Sequence, residues 1–141
     1  MQRIKIVYII VHSIILFGSG HGVGFLILTD IIFISDFLEG SFKFNYSFLT
    51  NEYLSTIGFF SLLGKVLIGL SMLRLKPFIK NILSVIGMLL LIYSVYILSS
   101  HNAYVGMLNI SSLMIIVFYV FSAGMVLKEL SLTDYLFNKL K

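Results

Sequence analysis

The sequence predicts an all-α, polytopic integral membrane protein: a single domain, residues 1–141, folded as a bundle of four transmembrane helices. Three observations lead there. Apolar residues make up 59% of the 141 positions and charged residues 11%, against roughly 45–50% and 25% in a typical soluble domain. Four stretches have the length and apolarity needed to cross a bilayer, which takes about 17–25 such residues. Lys and Arg gather where the ends of those stretches would meet one side of the membrane. The high hydrophobicity excludes a disordered chain. The absence of Cys excludes disulfide scaffolds, Cys–zinc sites, thiol nucleophiles and CxxC redox pairs.

The first span is expected over residues 4–28. Its basic start, apolar run and small residues also fit a secretory signal peptide, but the apolar run continues to Leu28 and fits a full span better. His12 shares a helical face with Tyr8 and Ser19. Towards its end the span carries Gly18, Gly20, His21, Gly22 and Gly24, two overlapping GxxxG pairs. Such a segment suits a close helix–helix crossing. Each Gly also weakens a helix by about 1 kcal/mol relative to Ala. The alternative is therefore a locally unwound helix lining a cavity, with His21 beside the opening.

An extracytoplasmic loop is expected over 29–53. Ile31, Ile34, Phe37 and Leu38 fall on one helical face, with Asp36 and Glu39 among the polar positions, which reads as a short amphipathic helix on the membrane surface. Next, Phe42, Phe44, Tyr46 and Phe48 alternate with Ser41, Lys43, Asn45 and Ser47, a strand-like period of two. This aromatic run is either an interfacial cap over the helix ends or a surface on which a partner docks.

The second span (54–73) places Gly58, Ser61, Lys65, Gly69 and Met72 within one arc. A stripe of small and polar residues faces other helices rather than lipid. Lys65 lies nine residues before Arg74, about 13.5 Å along a helix, near the midplane of a ~30 Å hydrocarbon core. A Lys there costs roughly 2.5–3.5 kcal/mol on insertion scales, and none of the four spans contains a carboxylate. Lys65 is therefore expected to be carried neutral, to hold an anionic ligand, or to meet an acid from a partner chain. The basic linker 74–80, with Pro77, turns the chain into the third span (81–99), whose Ser84, Gly87 and Ser94 share one side. The fourth span (108–127) carries Tyr119 on a stripe with Ser112 and Ser122, and the tail runs over 128–141. By depth, His12, Lys65 and Tyr119, with Ser61, form a candidate polar layer inside the bilayer.

Orientation follows from charge. Arg3, Lys5, Arg74, Lys76, Lys80, Lys128, Lys139 and Lys141 stand at one side, eight of the ten basic residues, so both termini are expected in the cytoplasm. The net charge of +4 belongs to membrane flanks and calls for no nucleic acid. Many Ile, Phe, Lys and Asn beside two Ala point to an AT-rich genome and a bacterial inner membrane.

No P-loop, HExxH or GxSxG motif is present, so an enzyme is not expected. His12 and His21 are nine residues apart, on nearly opposite faces of a regular helix. A bis-His haem site from His21 and His101 is conceivable, but no metal, haem or quinone cofactor is expected. The layout of short first tail, long first external loop and basic turn (Leu73-Arg74-Leu75-Lys76-Pro77) is similar to several families of small four-helix membrane proteins, DoxX-like proteins among them; no site residue carries over. The function expected first is that of a non-catalytic membrane subunit, in a homo-oligomer or with other membrane proteins. The alternatives are a small transporter or pore for an anionic or amphiphilic solute using Lys65, and a DoxX-like redox component.

Overall fold

The computed structural model describes the backbone of residues 2–19, 22–44, 52–102 and 109–140, and the side chains of 2–17, 24–44, 53–100 and 112–131. The element order is α1 (Gln2–Ser13), β1 (Leu16–Ser19), β2 (Gly22–Phe25), α2 (Ile27–Leu38), α3 (Glu52–Leu70), α4 (Pro77–Asn102) and α5 (Asn109–Leu140). Three helices contain stretches long and apolar enough to cross a membrane: Tyr53–Leu70, Pro77–Ser100 and Ser112–Ser131.

The expected first span is corrected. Residues 4–28 do not form one helix: α1 stops at Ser13, whose hydroxyl donates back to the Ile9 carbonyl at 2.9 Å. The glycine-rich segment then folds as an antiparallel β-hairpin, pairing Leu16 with Phe25, Phe17 with Gly24, Gly18 with Val23 and Ser19 with Gly22. A further bond, Leu26 N–H to the Ile15 carbonyl at 2.8 Å, extends the ladder inward. The physical reason is the helix penalty of four closely spaced glycines, which a two-stranded ladder avoids while still pairing backbone groups. The GxxxG pairs therefore mark strands, not a helix crossing. Gly20 and His21 lie outside the described residues.

The loop carries the expected short helix: its first ten residues belong to α2, which packs along α3. Thr29 and Asp30 are its buried residues, while Ile31, Ile34, Phe37 and Leu38 are exposed. Gly58 sets how near the two helices come. A Cβ there would overlap the Thr29 carbonyl and stand 2.8 Å from the Phe33 Cβ, so only hydrogen fits. Phe42 and Phe44 show no strand, and they pack with each other and with Phe33, Phe59 and Phe60 at centroid separations of 4.9–6.3 Å. They form an aromatic cap over α2 and α3; Tyr46 and Phe48 lie outside the described residues.

The remaining spans differ at their ends. α3 gives way after Leu70 to a turn, and α4 begins at Pro77 rather than residue 81, because Pro suits the first helical position. α5 continues well beyond 127, with no Gly or Pro to stop it and Glu129 buried. α3 and α4 meet at Gly64 and Gly87, where a Cβ on either would stand 2.8 Å from the carbonyl oxygen of the other. Gln2 Nε2 donates to the Met72 carbonyl at 3.0 Å, so the N-terminus and the α3–α4 turn share one end of the bundle.

The distribution of side chains is inverted relative to a soluble globule. α1 buries Lys5, Tyr8 and His12 and exposes Ile6, Val7, Ile10 and Ile14. In water that arrangement would be unfavourable on both faces. In a bilayer it is the favourable one, because polar groups turn from hydrocarbon towards other protein.

Candidate functional site

Two buried ion pairs organise the polar interior. The first lies at the Gln2 end. Lys5 Nζ stands 3.0 Å from Glu129 Oε1 and donates to Ser71 Oγ at 3.1 Å, while Ser84 Oγ donates to the same Glu129 oxygen at 3.2 Å. All four residues are buried. Lys5 belongs to α1, Ser71 follows α3, Ser84 lies on α4 and Glu129 on α5, so one cluster ties four parts of the chain together. Lys5, read from the sequence as a flanking charge, is in fact interior.

Above it, α1 repeats one device. Ser122 donates to the Phe118 carbonyl at 2.6 Å, leaving its oxygen to accept from the Tyr8 hydroxyl at 2.9 Å. Ser94 donates to the Leu91 carbonyl at 2.8 Å and accepts from His12 Nε2 at 2.9 Å. Because the Ser94 hydrogen is committed, Nε2 carries the His12 proton and Nδ1 is a bare acceptor. Nδ1 is buried without a hydrogen-bond partner. The Phe118 ring fills the space between these rungs, 5.3 Å from both the Tyr8 and His12 centroids.

The second pair joins Lys65 of α3 to Asp30 of α2 through Nζ and Oδ2. The expectation that Lys65 lacks an intramembrane counter-ion is corrected: the hairpin returns the chain so that Asp30 enters the bundle. Its charge thus occupies the place considered for an anionic ligand or a partner's acid. Asp30 stands in the first turn of α2, where the positive end of the helix dipole favours a carboxylate. Its other oxygen, Oδ1, is buried and unpaired.

The expected layer of His12, Lys65 and Tyr119 is not joined by hydrogen bonds. Lys65 turns to Asp30 and His12 to Ser94, while the Tyr119 hydroxyl is buried without a hydrogen-bond partner. Ser61, one helical turn from Lys65, is fully buried with an unpaired hydroxyl. His21 and the His101 side chain, weighed as haem ligands, lie outside the described residues. Sequence reasoning missed Lys5, Glu129 and Asp30 as interior groups. Two of these were within reach: Lys5, Tyr8 and His12 follow 3–4 spacing, as do Phe118, Ser122, Met125 and Glu129.

Comparison with family models, with curated proteins and with solved structures finds no match to this chain. The likeness to DoxX-like proteins therefore rests on layout alone.

Proposed function

We propose that the protein is a small non-catalytic integral membrane protein that acts by lateral association, with α5 as the helix that meets another membrane-spanning chain or a second copy of itself. One observation supports this most: α5 is the least covered span. Only 28% of its apolar window is buried, against 50% in α3 and 44% in α4. Leu113, Ile116, Val117, Val120 and Leu127 all face outward. Between them lie the exposed Ala123 and Gly124, and a Cβ on Gly124 would meet nothing within 4 Å. A flat, small centre within an apolar helix face lets a second backbone approach closely, the usual basis of helix association in lipid.

In this proposal α1, the hairpin and α2 together make a fourth, composite crossing. Both termini are cytoplasmic, the aromatic cap is extracytoplasmic, and the membrane is a bacterial inner membrane. Extraction in mild detergent is expected to give an assembly larger than the 16.0 kDa chain. Gly124→Ile is expected to reduce it to the single chain with the unfolding midpoint unchanged. Isolation of the native protein as a lone monodisperse monomer overturns the proposal.

A further inference from the structure

The end of the bundle that holds Gln2 and the α3–α4 turn carries exposed charge of one sign among the described side chains. Arg3, Arg74, Lys76 and Lys128 are exposed and Lys80 is half-buried. The buried Lys5–Glu129 cluster gathers them. Arg3 lies two positions before Lys5, Arg74 three after Ser71, Lys80 four before Ser84 and Lys128 beside Glu129. Each part of the chain tied by that cluster thus brings a cation to the same end. No exposed carboxylate among the described side chains answers them there: Glu129 is buried against Lys5, and Asp36 and Glu39 fall between Phe33 and Phe42 of the aromatic cap. Two helices also begin at this end. α1 starts at Gln2 and α4 at Pro77, and neither has an acidic residue in its first turn. The positive ends of both helix dipoles therefore add to the cations instead of being offset.

An apolar track starts from the same turn. Ile79, Ile82, Ile86 and Leu89 follow at intervals of three and four along α4, each 38–52% exposed. That spacing keeps them on one helical face, and they cover roughly 15 Å of helix rise. A ligand that answers both features has a phosphate at one end and a hydrocarbon chain at the other. From this arrangement we infer that this end of the bundle binds an anionic phospholipid selectively, its headgroup phosphate taken by Arg3, Arg74 and Lys76 and an acyl chain lying along the α4 track. The Arg guanidinium forks suit phosphate oxygens, and the Lys adds a point charge. An acidic protein segment would use the cations but leave the apolar track uncovered. Bound there, the lipid links α1 to the α3–α4 turn, as the Gln2 bond to the Met72 carbonyl already does. The inference rests on the membrane reading of the chain and not on association through α5, since none of the three cations belongs to that helix.

The test titrates the delipidated full chain, in uncharged maltoside micelles, with phosphatidylglycerol or with phosphatidylcholine of the same acyl chains. Native mass spectrometry counts the lipid bound per chain. Phosphatidylglycerol is expected to bind more than about tenfold more tightly, with an affinity that falls as salt is raised. A basic residue near an anionic lipid surface contributes about fivefold in affinity. The double variant Arg74→Gln/Lys76→Gln is therefore expected to lose roughly 25-fold, while Lys43→Gln, exposed in the aromatic cap, matches wild type. Both residues changed in the double variant are exposed, so its thermal midpoint without lipid is expected to stay at the wild-type value. Equal wild-type affinity for the two lipids, or undiminished phosphatidylglycerol binding by the double variant, overturns the inference. Displacement of the lipid by inorganic phosphate, or by a soluble acidic peptide, overturns it too, because either would assign the cations to a water-borne anion. The comparison of lipids on the wild-type chain decides even if the variant fails to fold. A monomeric chain that still selects phosphatidylglycerol would refute the association through α5 alone.

Discussion

Lys65 and Asp30 stand 35 positions apart in sequence, and neither is tolerable in hydrocarbon without the other. Removing one member of a buried pair leaves an uncompensated charge, typically at a cost of 3–5 kcal/mol. Lys65→Met and Asp30→Asn are each expected to destabilise the bundle by about that amount, and the double variant by much less than the sum. Denaturant titration in micelles, read as a double-mutant cycle, checks this; additive losses would mean that the pair contributes nothing as a pair. Lys65 was legible as an interior residue because it interrupts an apolar span. Its partner was not, because Asp30 lies just past the first apolar run, which ends at Leu28, and reaches the core only through a chain reversal. Glu129 was obscured by its place beyond the expected end of the last span, although its spacing from Ser122 repeats that of Ser122 from Ile115.

The spans Tyr53–Leu70, Pro77–Ser100 and Ser112–Ser131 could be read from apolar length, the strongest signal in the chain. The first segment could not, because composition alone does not separate a glycine-weakened helix from a hairpin when both are apolar. The helix contacts carry their own prediction. Gly58→Ala forces α2 from α3 at the Thr29 carbonyl and is expected to cost about 1–3 kcal/mol, as overpacking does. Gly69→Ala places its methyl in open space and is expected to gain about 0.5–1 kcal/mol from helix propensity. Opposite shifts of the thermal midpoint in the two variants check the assignment of the contact; equal shifts would contradict it.

For the whole molecule, the basic asymmetry remains after Lys5 is withdrawn from it, because Arg3 and Arg74 are exposed at the same end of the bundle. A chain without cysteine makes the topology directly testable. Lys43→Cys is expected to react with a membrane-impermeant maleimide added outside intact cells, and Lys76→Cys only after permeabilisation. The reverse pattern would invert the topology while leaving every internal contact in place.

The bond between Lys5 and Glu129 also bears on biogenesis. Glu129 is synthesised long after Lys5, so α1, 12 residues long, carries its ammonium unanswered until α5 has been made. An unanswered Lys is costly in hydrocarbon, and docking of α1 among its neighbours is therefore expected to wait for α5 to be in place.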